Sequence, residues 1–224
     1  MCGRYKQNTD GDALAELFRA RRRTRRKEAH GIASPGMDLP VIRENSAGRF
    51  MDDLNWGFTP HWAQNDKESR FINARAESAA EKPSFRDAYR LRRCIIPADG
   101  FIEWDGRTNP KKPYDITLSP PQCFGFAGLW DRWTNPATGE FKDSFAILTI
   151  AASPLLAPYH DRMPVMLTTA ADIDNWLAKD TTPENLADIA ARAAALPLDI
   201  RPAADTGKPA KAESPRDTAQ GSLF

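Results

Sequence analysis

Between about residues 41 and 150 the chain is a series of short apolar runs cut by turn-forming residues, and no other feature limits its fold more. Residues 94–96, 114–118, 123–130 and 144–151 are rich in β-branched and aromatic side chains and have strand composition. Asn135-Pro136-Ala137-Thr138-Gly139 reads as a hairpin tip. No internal repeat is visible. The expected fold is therefore a mainly-β α+β domain with helices at its periphery.

Helix signals flank this region. Residues 9–28 begin with Asp12 as a possible cap, and Leu14, Leu17 and Phe18 recur at helical spacing. The run from Arg19 to Lys27 holds seven basic residues in nine and reads as a solvated helix end, with nucleic-acid contact as the alternative. Residues 30–40 read as a loop. Thr169 can cap a helix carrying Ile173, Trp176 and Leu177. Thr182-Pro183-Glu184 is a second start signal, with Leu186, Ile189, Ala190 and Ala193 on one face. From about residue 201 the chain turns rich in Pro, Ala and Lys, so a domain over 1–200 and a disordered tail over 201–224 are expected.

A chain of 224 residues can bury roughly 70% of its unfolded surface without staples. Lys and Arg total 31 against 30 Asp and Glu, a net charge of +1. That excludes a uniformly basic nucleic-acid binder and leaves room for a local basic surface. No apolar run approaches the roughly 18 residues of a membrane span, and no apolar stretch follows Met1-Cys2-Gly3-Arg4. A cytoplasmic protein without membrane contact is expected. Cys2, Cys94 and Cys123 form no CxxC, and His30, His61 and His160 form no HxxxH. Neither a disulfide framework, a metal site nor a cofactor is expected.

Four short stretches carry chemistry. If Met1 is removed, Cys2 presents an α-amine beside a thiol. Their reference pKa values of about 7.7–8.0 and 8.5 leave both partly nucleophilic near neutral pH. With an aldehyde, such a 1,2-aminothiol forms an imine and then closes a thiazolidine ring. In Phe71-Ile72-Asn73-Ala74-Arg75-Ala76-Glu77, Asn73, Arg75 and Glu77 share one side of an extended segment. Asn73 suits a polar group and Arg75 a phosphate; a surface strand with an Arg–Glu pair is the plainer reading. Glu103 stands between Ile102 and Trp104, where desolvation would raise its pKa and suit acid–base work. His160 is a candidate general acid or base, and Arg162, two residues on, can face the same way and hold a phosphate. Most aromatics of residues 56–62 and 126–130 read as core, with one or two available to stack on bases.

Taken in order, MCGRY at 1–5, WGFTPHWA at 56–63, INARAES at 72–78, RCIIPADGFIEW at 93–104, FAGLW at 126–130 and HDRMPV at 160–165 resemble the SRAP (SOS response-associated peptidase) family. The resemblance implies a mainly-β fold whose cleft binds single-stranded DNA and cross-links to abasic sites. Cys2 matches the family nucleophile, Asn73 the Asn of its NAR motif, Glu103 the Glu of its EW motif and His160 the His of its HDRMP motif. Arg4, Arg75 and Arg162 match arginines that contact DNA phosphates, and Trp104 is expected in the same cleft. The chain departs from the family at His30-Gly31-Ile32-Ala33-Ser34-Pro35-Gly36, where an N-x-A-P stretch is usual. It departs again at Ala63, where some relatives carry a second Trp, and over residues 197–219.

Gln220-Gly221-Ser222-Leu223-Phe224 is similar to the QxxLF motif by which bacterial repair proteins bind the replicative sliding clamp. Leu223 and Phe224 would be apolar anchors, with Gln220 hydrogen-bonding at the pocket edge. The leading expectation is a monomeric bacterial DNA-damage protein of the cytosol or nucleoid that traps abasic single-stranded DNA through Cys2, with AP-lyase and autoproteolytic side activities. The alternatives are an N-terminal-nucleophile amidohydrolase of glutaminase type, since MCG also opens such enzymes, and a non-covalent single-strand binding module.

Overall fold

The computed structural model describes residues 2–24, 27–65, 70–204 and 206–207. Along the chain run β1 (Tyr5–Gln7), α1 (Gly11–Leu17), β2 (Arg21–Arg22), β3 (Gly31–Ala33), β4 (Asp38–Asn45) and β5 (Gly48–Trp56). Then come β6 (Asn73–Arg75), α2 (Ala76–Ala79), α3 (Arg86–Leu91), β7 (Arg93–Ala98), β8 (Gly100–Asp105), β9 (Lys112–Leu118), β10 (Phe124–Thr134) and β11 (Phe141–Ala151). The last elements are β12 (Arg162–Pro164), β13 (Met166–Leu167), α4 (Ala170–Leu177), α5 (Pro183–Ala194) and β14 (Leu198–Pro202).

The strands form two sheets. One runs β14-β9-β8-β1-β3; the other runs β12-β11-β10-β7-β4-β5-β2. In the second, β5 also pairs in parallel with β11 through Ser144↔Asn55 and Phe145↔Trp56. That contact closes β5, β4, β7, β10 and β11 into a barrel, which removes the open edges a sheet this long would otherwise expose. The mainly-β expectation is met, and the helices lie outside the barrel.

Close packing of β10 on β7 explains two glycines inside a strand. A Cβ on Gly128 would sit 2.2 Å from Ile96 Cδ1, and one on Gly125 would sit 2.3 Å from Ile95 Cγ2. The expected hairpin tip at 135–139 joins β10 to β11, with Asn135 and Glu140 bonded across it at 2.7 Å. Trp56 stacks on Phe145 at 6.2 Å between ring centroids and donates its Nε1–H to Ile72 O at 2.9 Å. Both expected late helices are present. Thr169 accepts from Asp172 N at 3.1 Å and Thr182 from Asn185 N at 3.2 Å, and Trp176 Nε1 ties α4 to Cys94 O at 2.8 Å.

Four local expectations need correction. The helix expected over 9–28 is only α1, and its cap is Asp10, which accepts from the Asp12 and Ala13 amides at 2.9 Å each. The basic run does not end that helix: Arg19 turns the chain at φ 52°, and Arg21 and Arg22 pair with β5. The loop expected over 30–40 contains β3 and the start of β4. The tail does not begin at 201, because β14 pairs with β9 as far as Pro202↔Tyr114 and Ala203 N still bonds to Pro113 O at 3.0 Å. Among the described residues no helix is long and apolar enough to cross a membrane.

Candidate active site

The site begins with β1, which lies between β8 and β3. Tyr5 anchors this strand; its ring lies 5.2 Å from Trp56 and edge-on to Phe126 at 5.7 Å. The pairing Tyr5↔Phe101 continues one step back, where Ile102 N donates to Arg4 O at 3.0 Å. The same register sets Gly3 opposite Glu103 and lays Cys2 along the outgoing end of β8. Cys2 is buried, at 1% exposure. Its Sγ donates to Arg4 O at 3.5 Å, and Asn73 Nδ2 donates to its carbonyl at 3.0 Å.

Asn73 comes from the other sheet. β6 runs parallel to the end of β11, with Ile147↔Asn73 and Thr149↔Arg75 in register. Its Oδ1 is buried and makes no hydrogen bond among the described residues. Glu103 sits inside β8 and is 3% exposed, more deeply placed than a strand end. Burial raises its pKa, and nearby His160 opposes that only in part. Burial also pushes the Cys2 thiol well above its ordinary value, and the neighbouring Glu103 adds to the rise. The thiol therefore stays protonated at neutral pH and needs a base before it can attack.

His160 Nδ1 accepts the Arg162 N–H at 2.9 Å. An amide can only donate, so the proton of a neutral imidazole resides on Nε2. Exposed Asp161 stands 3.0 Å from the same nitrogen. A cleft of about 600 Å³ opens over these groups, lined by Gly3, Arg4, Glu103, Trp104, Pro110, Lys111 and His160.

The three expected phosphate-binding arginines differ. Arg75 is exposed at the end of β6, and no ion pair involving it is found among the described residues. Arg4 lines the cleft, with one Nη on Gly3 O at 2.7 Å. Arg162 is occupied: Glu77 takes it in a fork at 2.7 and 2.8 Å, and Thr149 O accepts a further bond at 2.6 Å. This corrects the picture of Asn73, Arg75 and Glu77 on one extended segment. The strand ends at Arg75, Glu77 lies in α2, and its partner is Arg162 rather than Arg75. Glu77 consequently has its carboxyl held below the usual range by Arg162.

Cys2, Asn73, Glu103, His160, Arg4 and Trp104 thus share one place, with Arg75 and Arg162 at its border. Of the aromatics, Trp56 is core and Trp62 is half exposed. The structure adds Glu77 and Thr149, which clamp Arg162, and Pro110 and Lys111, which wall the cleft. The PKKP stretch at 110–113 was the available signal for the last pair. Among the described residues no group of three His, Cys, Asp or Glu could hold a metal ion. Gln220, Leu223 and Phe224 lie outside the described residues.

The family model for the SOS response associated peptidase (SRAP) matches residues 1–206. The chain belongs to this family. It is 38% identical over 193 residues to the abasic site processing protein YoqW of Bacillus subtilis, covering 83% of this chain and 84% of that one. It is 31% identical over 196 residues to the abasic site processing protein YedK of Escherichia coli, covering 85% and 86%. A solved protein structure from Bacteroides thetaiotaomicron superposes with a TM-score of 0.78 at 25% identity, over 89% of this chain and 90% of that one. The SRAP fold expected from the motifs is therefore present.

Proposed function

We propose that this SRAP protein processes abasic sites by binding single-stranded DNA and joining itself covalently to the exposed sugar aldehyde through Cys2. The carrying observation is the convergence of buried Cys2 and Glu103 with partly buried Asn73 and His160 at one cleft whose border carries arginines. The names of the similar Bacillus and Escherichia proteins support the substrate.

Hydrolysis of the Met1–Cys2 peptide bond, whether by the chain itself or by a separate aminopeptidase, frees the Cys2 α-amine. The amine adds to the aldehyde carbon, and water leaves to give an imine. The Cys2 sulfur then adds to the imine carbon while its proton passes to the nitrogen, closing a thiazolidine; the sum is aldehyde plus aminothiol giving ring plus water. Glu103 carries the proton in both steps, as a carboxyl whose pKa burial raises above the ordinary glutamate value. Asn73 fixes the Cys2 carbonyl and offers Oδ1 to the amine or sugar. His160 donates its Nε2–H in a hydrogen bond to the ring oxygen of the sugar, stabilising it as the ring opens to the aldehyde and that oxygen takes up the hemiacetal proton. Should the ring stay open, loss of a C2′ proton from the imine expels the 3′ phosphate, which is lyase chemistry. Arg4 and Arg75 hold backbone phosphates, and Trp104 contributes a face for a base.

The test is a denaturing gel of the protein with single-stranded DNA carrying one abasic site, with Cys2→Ala beside it and an intact mass to establish loss of Met1. A band that survives denaturation and vanishes in Cys2→Ala is expected. No band from protein lacking Met1 would refute the covalent mechanism, leaving salt-sensitive binding or glutaminase activity to be measured instead. We read the protein as a monomer of the bacterial cytosol or nucleoid. Its final Gln220, Leu223 and Phe224 are read as a sliding-clamp contact; deleting 220–224 should abolish clamp binding and spare cross-linking, and retained binding would refute it.

A further inference from the structure

The β8–β9 hairpin carries three cations in six residues at its tip: Arg107, Lys111 and Lys112. Pro110 and Lys111 form part of the wall of the Cys2 cleft. Of the carboxylates at this end, Glu103 is buried and Asp161 is exposed beside His160. Asp105 takes Arg107 through Nε at 2.8 Å and Nη2 at 2.7 Å, and accepts the Arg107 amide at 2.9 Å. That grip holds the Asp105 carboxyl down at about 2, so it stays ionised and matched to Arg107. Lys111, by contrast, is exposed, with no ion pair or hydrogen bond among the described residues. Its charge faces the cleft uncompensated.

The tip is also ordered. Thr108 Oγ1 donates to Asp105 O at 3.2 Å and receives the Lys112 amide at 3.0 Å. Asp105↔Lys112 is the last pair of the β8–β9 ladder. The Arg107 guanidinium lies 5.5 Å from the ring centre of Tyr159, and Tyr159 packs on Tyr114 at 4.5 Å. The hairpin is braced on the segment that carries His160. A cation on a braced tip loses little freedom when a ligand arrives.

On the other border, both terminal nitrogens of Arg162 are engaged by Glu77 and Thr149 and its Nε is buried, which leaves Arg75 and Arg4 as the more available arginines. A single strand laid across the cleft therefore meets less free positive charge from the barrel than the motifs suggest. We infer that the β8–β9 hairpin tip is a second phosphate-binding wall of the cleft, in which Lys111, with Lys112 beside it, takes backbone phosphates flanking the reacting nucleotide. This rests on the reading above that the ligand is single-stranded DNA. The two walls come from different sheets: Lys111 from the five-stranded one, Arg75 from β6, which pairs with β11 of the barrel. A strand held by both is gripped on either side of Cys2.

The experiment measures binding of undamaged, fluorescently labelled single-stranded DNA by anisotropy between 50 and 300 mM salt, as about a sixfold span, for wild type, Lys111→Ala, Lys111→Arg and Lys111→Ala/Lys112→Ala. Lys111→Ala should weaken binding about fivefold at the low-salt end and flatten the log–log salt slope by about 0.7, the value of one lost phosphate contact on a single strand. The double variant should lose about twice that slope, and Lys111→Arg should match wild type. Cross-linking of abasic DNA is followed at saturating strand, where a loss of binding alone is masked and only a change in the reaction is read. Unchanged affinity and slope in the double variant would overturn the inference. So would a Lys111→Ala protein that binds normally yet cross-links slowly at saturation, since Lys111 would then belong to the reaction. If wild type forms no cross-link while the lysine effects persist, the covalent reading fails and the hairpin wall stands. If wild type cross-links and the lysines have no effect, the reverse holds.

Discussion

Replacing Glu103 by Gln separates two consequences of one buried carboxyl that act in opposite directions. Glu103 raises the pKa of the Cys2 thiol, so its removal makes thiolate easier to form and should speed attack. Yet burial precedes Glu103 among the causes of that rise, and Gln leaves the burial intact. The gain is therefore minor. Against it stands the loss of a positioned proton carrier, which is typically responsible for 10²–10⁴-fold, or about 3–5 kcal/mol of barrier. Net slowing of at least about a hundredfold follows. The pH dependence should change as well. The Glu103 carboxyl has a folded pKa above the ordinary glutamate value. Relative to Gln, it therefore favours the folded state below the unfolded pKa, and this is lost as pH rises through the folded value. Melting curves of Glu103→Gln should thus gain on wild type as pH rises beyond the ordinary glutamate range. The assay is single-turnover cross-linking to abasic single-stranded DNA from pH 5 to 9, read on denaturing gels. A variant that cross-links within about threefold of wild type, with the same pH profile, would refute the proton-carrier role.

Three further outcomes are expected. Gly128→Ala must displace Ile96, whose Cδ1 lies 2.2 Å from the new methyl. It should destabilise by about 1–3 kcal/mol, seen as a fall of about 2–10 °C in Tm; an unchanged Tm would show that β7 gives way freely. Asn73→Ala removes the 3.0 Å bond to the Cys2 carbonyl and should slow cross-linking about five- to tenfold, from a bond of about 1 kcal/mol; a rate equal to wild type would exclude Asn73 as a positioning group. Glu77→Gln loosens the Arg162 fork. Because Glu77 is more than half exposed, the loss should be no more than about 1 kcal/mol at neutral pH. The folded Glu77 pKa is depressed, so its contribution exists above the ordinary glutamate value and disappears as pH falls through the folded one. Chemical denaturation at pH 7 and pH 3 should show a larger difference at pH 7 than at pH 3.

The candidate residues could be singled out because they stand in ordered motifs that together resemble the SRAP family: a Cys at position 2, a Glu between Ile and Trp, and a His before Asp-Arg. Their environments were less legible. Glu103 could be placed beside apolar neighbours, but its burial depends on β1 covering β8, a contact between segments some hundred residues apart. The capture of Arg162 joins positions 77, 149 and 162, and no local pattern announces it. The early helix was overextended because Leu14, Leu17 and Phe18 keep helical spacing up to the point where Arg19 reverses the backbone. The boundary at 200 fell short because composition turns polar before β14 ends, while pairing with β9 depends on the partner strand rather than on β14 alone.

The position of β1 also bears on force. If DNA is joined at Cys2, any pull on that DNA enters the protein three residues ahead of a strand that is itself three residues long. β1 is an interior strand with β8 on one edge and β3 on the other, and the Tyr5 ring is wedged against Trp56 below it. Tension along the strand would load the hydrogen bonds on both edges together in shear, rather than opening them one after another. The attachment point is thus also the anchored end of a rivet, suited to keep the folded domain on its strand when something moving along the DNA collides with it.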